Sequence, residues 1–414
     1  MIQSGQVTPD LRLSEAAALD ETARSLLAIG DTAGALAAGG EAKQIYETML
    51  AAKPGNADQL YARLEYGINI ECDRIGAVRL AEGNLAEALK SFQAGLAIAE
   101  RFAKSGDAQW LRDLSSSHER IGDVQVAQKD LLEALQSYEA GLAIAERLVK
   151  SDSRNIRWQD DLGIAHEKIG DVQMAEGDLA AALTSYEAKR DILLPLVQTD
   201  PENAEWQLDL SVAYEKIGNV EVAQANLPEA LKSYQASLAI RERLTRSDRS
   251  NLVWQRDLSI AYEKTGNVQF AERNPPGALK SYLAALDISD RLATSDPGNG
   301  DWQRDLSVSY EKVGDAHLEE GNLPDALKSY QASLAIMVRL AKSNPGNVGL
   351  QGELAVFYAK LAFVYKKAGD SANAQTALVQ ARAILAPLVA QYPGEAQWKK
   401  VLAWLDQQSA ALGK

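Results

Sequence analysis

A single cysteine, Cys72, stands in 414 residues, which excludes an intramolecular disulfide framework and any cysteine-based zinc site. Aromatic content is low, and glycine and proline are modest. No run approaches the ~18 uninterrupted apolar residues of a membrane span. No segment alternates apolar and polar residues with period two, so strands are not expected. Basic residues are in deficit as well: 43 Lys and Arg stand against 57 Asp and Glu, a net charge of −14. A binder of nucleic-acid phosphates or of anionic membranes needs the opposite balance on one face, so neither partner is expected. The start MIQSGQVTPD has neither the basic nor the apolar region of a signal peptide, which makes the cytoplasm the expected location.

Catalytic and cofactor chemistry is equally hard to find. Gly30, Gly34, Gly39 and Gly40 contain no GxxxxGK[ST] and follow no strand, so they are no phosphate loop. His118 and His166 lie one repeat apart, where Tyr214 and Tyr262 stand in other units. With no third ligand they read as packed imidazoles rather than a metal pair. Carboxylate pairs abound, but acid–base work needs an enclosed pocket with shifted pKa values. The expectation is a non-enzyme with no cofactor and no metal.

What the sequence has in quantity is repetition. Trp110, Trp158, Trp206, Trp254 and Trp302 are each 48 residues apart, and Gly122, Gly170, Gly218, Gly266 and Gly314 keep the same step. Gly76 lies 46 before Gly122, a slip explained by the shorter linker SGDAQW. Residues 202–249 and 298–345 share 28 of 48 positions, so one structural unit has been duplicated in tandem. Within 202–249, Trp206, Leu210, Ala213, Tyr214, Ile217 and Val220 recur at three- and four-residue spacing, a helix face. Asn226-Leu227-Pro228-Glu229 reads as a second helix start, with Asn84, Asp130 and Asn322 in the same place elsewhere. The second helix carries Ala230, Leu231, Tyr234, Leu238 and Leu244 on its buried side, and a polar turn such as Ser295–Asn299 ends the unit. Pro195 and Pro387, four units apart, are expected to kink or shorten their helices.

The stretch IGNVEVAQANLPEALKSYQASLAI (Ile217–Ile240) resembles a tetratricopeptide repeat: an Ile-Gly pair in the first helix, Gly83, Gly177 or Gly321 at the turn, then Ala230 and Tyr234. Pro201 or Pro297 in the exit loop completes the likeness. Two departures stand out. The period is lengthened to 48, and Gln125, Gln173, Glu221, Gln269 and His317 replace the tyrosine usual after the first glycine. The resemblance implies an all-α tetratricopeptide-type α-solenoid, a right-handed superhelix of antiparallel helix pairs. The organisation expected is a degenerate first pair in 1–57 (Ile29-Gly30-Asp31, then Lys53-Pro54-Gly55-Asn56), six regular pairs in 58–345, a divergent eighth in 346–393 and a closing helix in 394–414.

The resemblance also implies a concave groove lined by the first helices. Val212, Glu215, Asn219 and Val222 share one face of such a helix. The repeats add Glu119 with Asp123, Glu167 with Asp171, Glu263 with Asn267 and Glu311 with Asp315. These residues are the candidate peptide-binding positions, expected on the solvent side, where they contribute little to folding. Carboxylates there would select a basic ligand, while Lys168, Lys216, Lys264 and Lys312 beside them could neutralise the ladder locally. The lysine–asparagine clamp for a terminal carboxylate is expected to be missing, since Glu215 stands at the lysine position. In the eighth unit Ala359 and Phe363 replace Glu and Asp, either as an apolar hot spot or as packing against a cap.

The function expected is a scaffold or adaptor for a protein or extended peptide, with self-association left open. The alternative is a bacterial sensing or oligomerisation array serving a separate effector. Each unit should contact only its neighbours, so deleting 202–249 whole regenerates a near-identical junction. Circular dichroism of the deletion variant should show helix content per residue unchanged; its collapse would refute the repeat assignment.

Overall fold

The computed structural model describes residues 8–52 and 58–412. The residues MIQSGQV and the expected exit turn Lys53-Pro54-Gly55-Asn56 lie outside them. The described residues form helices joined by short turns, with no strand among them, in two compact units. The unit Met1–Asp200 holds α1 (Pro9–Ala28), α2 (Thr32–Ala51), α3 (Asp58–Ala81), α4 (Leu85–Ala103), α5 (Ala108–Ala127), α6 (Leu131–Ser151), α7 (Ile156–Glu176) and α8 (Leu179–Thr199). The unit Pro201–Lys414 holds α9 (Ala204–Ala223), α10 (Leu227–Ser247), α11 (Leu252–Ala271), α12 (Pro275–Ser295), α13 (Gly300–Glu319), α14 (Leu323–Ser343), α15 (Val348–Lys367), α16 (Ser371–Gln391) and α17 (Ala396–Leu412). Within each unit every helix packs on the next in chain order.

The repeated signals act at helix ends. Asn155, Asn203, Asn251 and Asn299 cap the first helices of their pairs, each accepting from the backbone N–H of the tryptophan three residues on. The tryptophans therefore keep register with the cap. Trp110 is buried, but Trp158, Trp206, Trp254 and Trp302 are half-buried, so they are not the fully enclosed core residues their regularity suggests. At the second helix, Asp130, Asp178 and Asn322 accept from the chain three residues later. Asn226 does not make the expected cap bond. Its helix start relies on Pro228, whose missing N–H leaves one donor fewer to satisfy. Pro195 and Pro387 do not shorten their helices: α8 and α16 run 21 residues, as α6 and α10 do. Both prolines are exposed.

Inside each pair, small residues let the helices approach closely. Ala88, Ala134, Ala182, Ala230, Ala278, Ala326 and Ala374 of the second helices are all completely buried. The first-helix glycine faces the aromatic ring of its partner helix. A Cβ at Gly218 would sit 2.7 Å from the Tyr234 ring, and one at Gly266 would sit 2.6 Å from Tyr282. The same pairing joins Gly122 to Tyr138, Gly170 to Tyr186, Gly314 to Tyr330 and Gly76 to Phe92.

The turn between paired helices uses a six-to-one closure, as where Asp178 N–H donates to the Gln173 carbonyl. It demands one left-handed residue. Gly177 supplies it at φ +84°, but Lys129, Ala225 and Arg273 hold the same place at +66°, +59° and +60°. A side chain there costs roughly 1–2 kcal/mol relative to the right-handed region. Lys129→Gly and Arg273→Gly should therefore each raise stability by about 0.5–1 kcal/mol, part of the relief being offset by the looser unfolded chain. Urea midpoints measure this, and a lower midpoint in either variant would contradict it.

Candidate functional site

The candidate positions sit on the first helices, and most of their side chains are engaged within the protein. Asp123, one residue after Gly122, accepts from the Tyr138 hydroxyl at 2.8 Å. Asp171 takes the Tyr186 hydroxyl at 2.6 Å, Asn219 takes Tyr234 at 2.8 Å, Asn267 takes Tyr282 at 2.9 Å, and Asp315 takes Tyr330. Each ring that fills the glycine gap is thereby held at its tip. Burial, reinforced by nearby carboxylates, pushes these phenols well above their usual pKa, so they remain donors. Beside them, Ser137, Ser185, Ser233 and Ser281 donate to Gln125, Gln173, Glu221 and Gln269, the residues standing where the related repeats carry tyrosine.

The glutamates bind basic side chains. Glu215 accepts from Arg241 at 2.6 Å and pairs with Lys264 at 3.0 Å; Arg241 is only 5% exposed. Glu167 accepts from the buried Lys189, and Glu311 from Lys360. The lysine of one first helix reaches back to the preceding one: Lys168 to Asp123, Lys264 to Asn219 and Glu215, Lys360 to Asp315 and Glu311. Arg112 to Asp161, Arg256 to Asp305 and Arg304 to Glu353 tie the same helices together a few turns earlier. The expectation of a solvated ladder that contributes little to folding is thus corrected. Glu119 and Glu263 are half-buried, and desolvation raises both, Glu119 to about 7 and Glu263 less, against the pull of Lys168 and Lys312.

The pattern changes in α15. Leu378 stands one repeat after Tyr330 and Ala362 one repeat after Gly314, and both are buried in one cluster. With no hydroxyl to receive, position 363 needs no acceptor, and it is Phe363, 42% exposed. Ala359 is buried with Leu405 of α17, which settles that residue as packing against the cap, whereas Phe363 is not covered. Phe363 lines an open cavity of about 460 Å³ with Val356, Ala359, Val401 and Trp404. Lys360, Lys400, Asp315 and Tyr330 line it as well. Trp404, missed in reading the sequence, stands two 48-residue steps beyond Val308, with Val356 between them, and that count could have found it.

His118 and His166 are half-buried, and desolvation lowers both pKa values. Among the described residues no group of three or more His, Cys, Asp or Glu is placed to hold a metal, and no helix is long and apolar enough to cross a membrane.

Two ladder rungs should respond with opposite signs. Glu215→Gln leaves Arg241 without its charged partner and should cost about 2–3 kcal/mol. Glu119 is protonated more readily folded than unfolded, so its contribution falls as pH rises from about 4.5 through about 7. Glu119→Gln removes that loss and should gain roughly 1–2 kcal/mol over the parent between about pH 5.5 and about pH 8.5. Melting curves at the two pH values test both; a pH-independent difference for Glu119→Gln would show that the carboxyl is solvated.

No family model matches the sequence, and no curated protein matches it. Solved structures do match. The chain is similar to a signal-transduction ATPase with numerous domains that carries a tetratricopeptide repeat sensor, PH0952 from Pyrococcus horikoshii, at 12% identity and a TM-score of 0.56. That match covers 96% of this chain and 56% of the other. BtubC from P. vanneervenii matches at 18% identity and a TM-score of 0.48 over 62% of this chain and 92% of its own. The apo form of RapI matches at 12% identity and a TM-score of 0.45, covering 80% of this chain and 99% of its own. Helix pairs repeated at a 48-residue step, with a glycine–aromatic contact inside each regular pair, make this chain by fold a tetratricopeptide-type α-solenoid.

Proposed function

We propose that the chain is a non-catalytic protein- or peptide-binding scaffold whose ligand docks on the first-helix face at the end of the C-terminal unit. The observation that carries this is Phe363. Aspartate and asparagine at its sister positions are committed to buried tyrosines, while Phe363 is free of that duty and stays 42% exposed beside Trp404. An aromatic side chain left open next to an apolar cavity is the composition of a binding hot spot. Glu215, Asn219, Glu263, Asn267, Glu311 and Asp315 then form the flank of the groove in this unit, and Glu119, Asp123, Glu167 and Asp171 hold the corresponding first-helix places in the N-terminal unit. Their internal pairing leaves little unneutralised charge to select a basic ligand. A bacterial, cytoplasmic protein fits this reading, supported by the near-identical copies and the acidic balance.

A second reading, a sensing or oligomerisation array acting with a separate effector, is supported by the similarity to the ATPase with a tetratricopeptide sensor. In both readings the face around Phe363 meets a protein. A photo-crosslinking amino acid at position 363 should capture one dominant protein in the source cells. The same group at the exposed Gln235 of a second helix should not. Equal labelling from both positions would refute the site, and capture of a signalling ATPase or other effector would favour the second reading.

A further inference from the structure

Charge around the cavity specifies what the docking surface takes. Residues 346–414 carry seven Lys and Arg against four Asp and Glu, whereas residues 1–345 carry 36 against 53. The reversal gathers at the cavity. Lys400 lines it, is exposed, and pairs with no carboxylate among the described residues. Lys367 lies 5.2 Å over the Phe363 ring, also exposed and without a carboxylate partner among them. Lys360, by contrast, is committed to Glu311 and Asp315. Asp315 is the only carboxylate lining the cavity, and it already receives the Tyr330 hydroxyl and Lys360. Two cations without a carboxylate partner among the described residues therefore stand by the cavity, Lys400 in its lining and Lys367 over the Phe363 ring, while the one carboxylate in the lining is already engaged.

We infer that this site binds a partner segment that sets one large apolar side chain into the cavity and an Asp or Glu beside it. The inference rests on the docking reading above and adds the chemistry of the ligand. Its sign is opposite to the protein's net charge, so general attraction by an acidic surface cannot mimic it. The cavity volume, about 460 Å³, falls within the roughly 300–1,000 Å³ of ligand clefts and accommodates one aromatic or branched aliphatic anchor. Exposed ion pairs are individually weak, so two free lysines provide selectivity rather than most of the affinity. Lys367 is poised for this, because a carboxylate drawn to it also lies against the ring that contacts the anchor.

The test compares fluorescent short peptides with a central tryptophan flanked by Glu, Ser or Lys, read by anisotropy on the full chain. The Glu-flanked peptide should bind about tenfold more tightly than the Lys-flanked one, with Ser between. The gap should nearly close at ~1 M salt, where the screening length is ~3 Å. Lys367→Glu combined with Lys400→Glu should invert the order, and Phe363→Ala should weaken all three peptides. These three residues are exposed, and an unchanged melting curve verifies folding of each variant. Equal binding of the three peptides, or a preference for the Lys-flanked one, overturns the charge inference while loss of binding in Phe363→Ala still supports docking. Failure of every peptide to bind, or binding indifferent to Phe363→Ala, removes the docking reading and the inference with it.

Discussion

The structure depends on an aromatic ring of the second helix filling the space that a glycine leaves on the first. A methyl group at Gly218 would overlap Tyr234, so the position is closed to larger residues, and the ring is closed to removal because its volume would become a cavity. Close approach has a second consequence: the phenol tip ends inside the pair, where an unbonded hydroxyl costs about 1–3 kcal/mol. The residue after the glycine must therefore accept a hydrogen bond. Asp123, Asp171, Asn219, Asn267 and Asp315 all do. A contact of shape thus dictates polar identity one residue away.

That acceptor then shapes what can lie on the neighbouring first helix. A carboxylate or amide half-buried at this point attracts a cation, and Lys168, Lys264 and Lys360 reach back to supply it. The glutamate a turn earlier joins the same lysine in two of these cases. Within each unit the rows of Glu, Asp/Asn and Lys are therefore tied together, so helix pairs are joined electrostatically as well as by apolar contact. Where a cation is shared by two acceptors, as Lys264 and Lys360 are, the lysine is held in one geometry and the entropy lost per contact is limited.

Much of this was legible in the sequence, and the reason for the remainder is specific. Period, helix order, turn residues and terminal divergence follow from tandem copies, because Trp, Gly and Asn mark helix starts, close contacts and caps at fixed intervals. The shared face of Glu215 and Asn219 also follows from helix geometry. What spacing along one helix cannot reveal is that Tyr234, fifteen residues later on another helix, reaches Asn219. The unit that breaks the rule holds the missing clue. Where Gly becomes Ala362 and Tyr becomes Leu378, Asp becomes Phe363, so three substitutions move together. Asn226 failed as a side-chain cap and the prolines failed to shorten their helices for a different reason: exposure and local alternatives decide caps and helix ends, and the sequence does not display exposure.

The coupled change in the eighth unit explains why an apolar surface opens beside Phe363. Substituting Tyr by Leu378 removes the hydroxyl, which releases position 363 from accepting. No lysine follows at position 408, where Gln408 stands, so position 359 is released from pairing as well. Of the two freed positions, Ala359 is consumed by packing on α17, whereas Phe363 remains 42% exposed. Packing alone accounts for a small residue at 359 but gives no benefit to a large aromatic left in water at 363, where burial would have been worth about 2 kcal/mol. The cap helix does not complete that burial; with Val401 and Trp404 it extends the apolar floor and brings Lys400 into the lining. The eighth unit is thus where these structural obligations lapse, and that release is the ground on which the proposed docking surface is placed at Phe363.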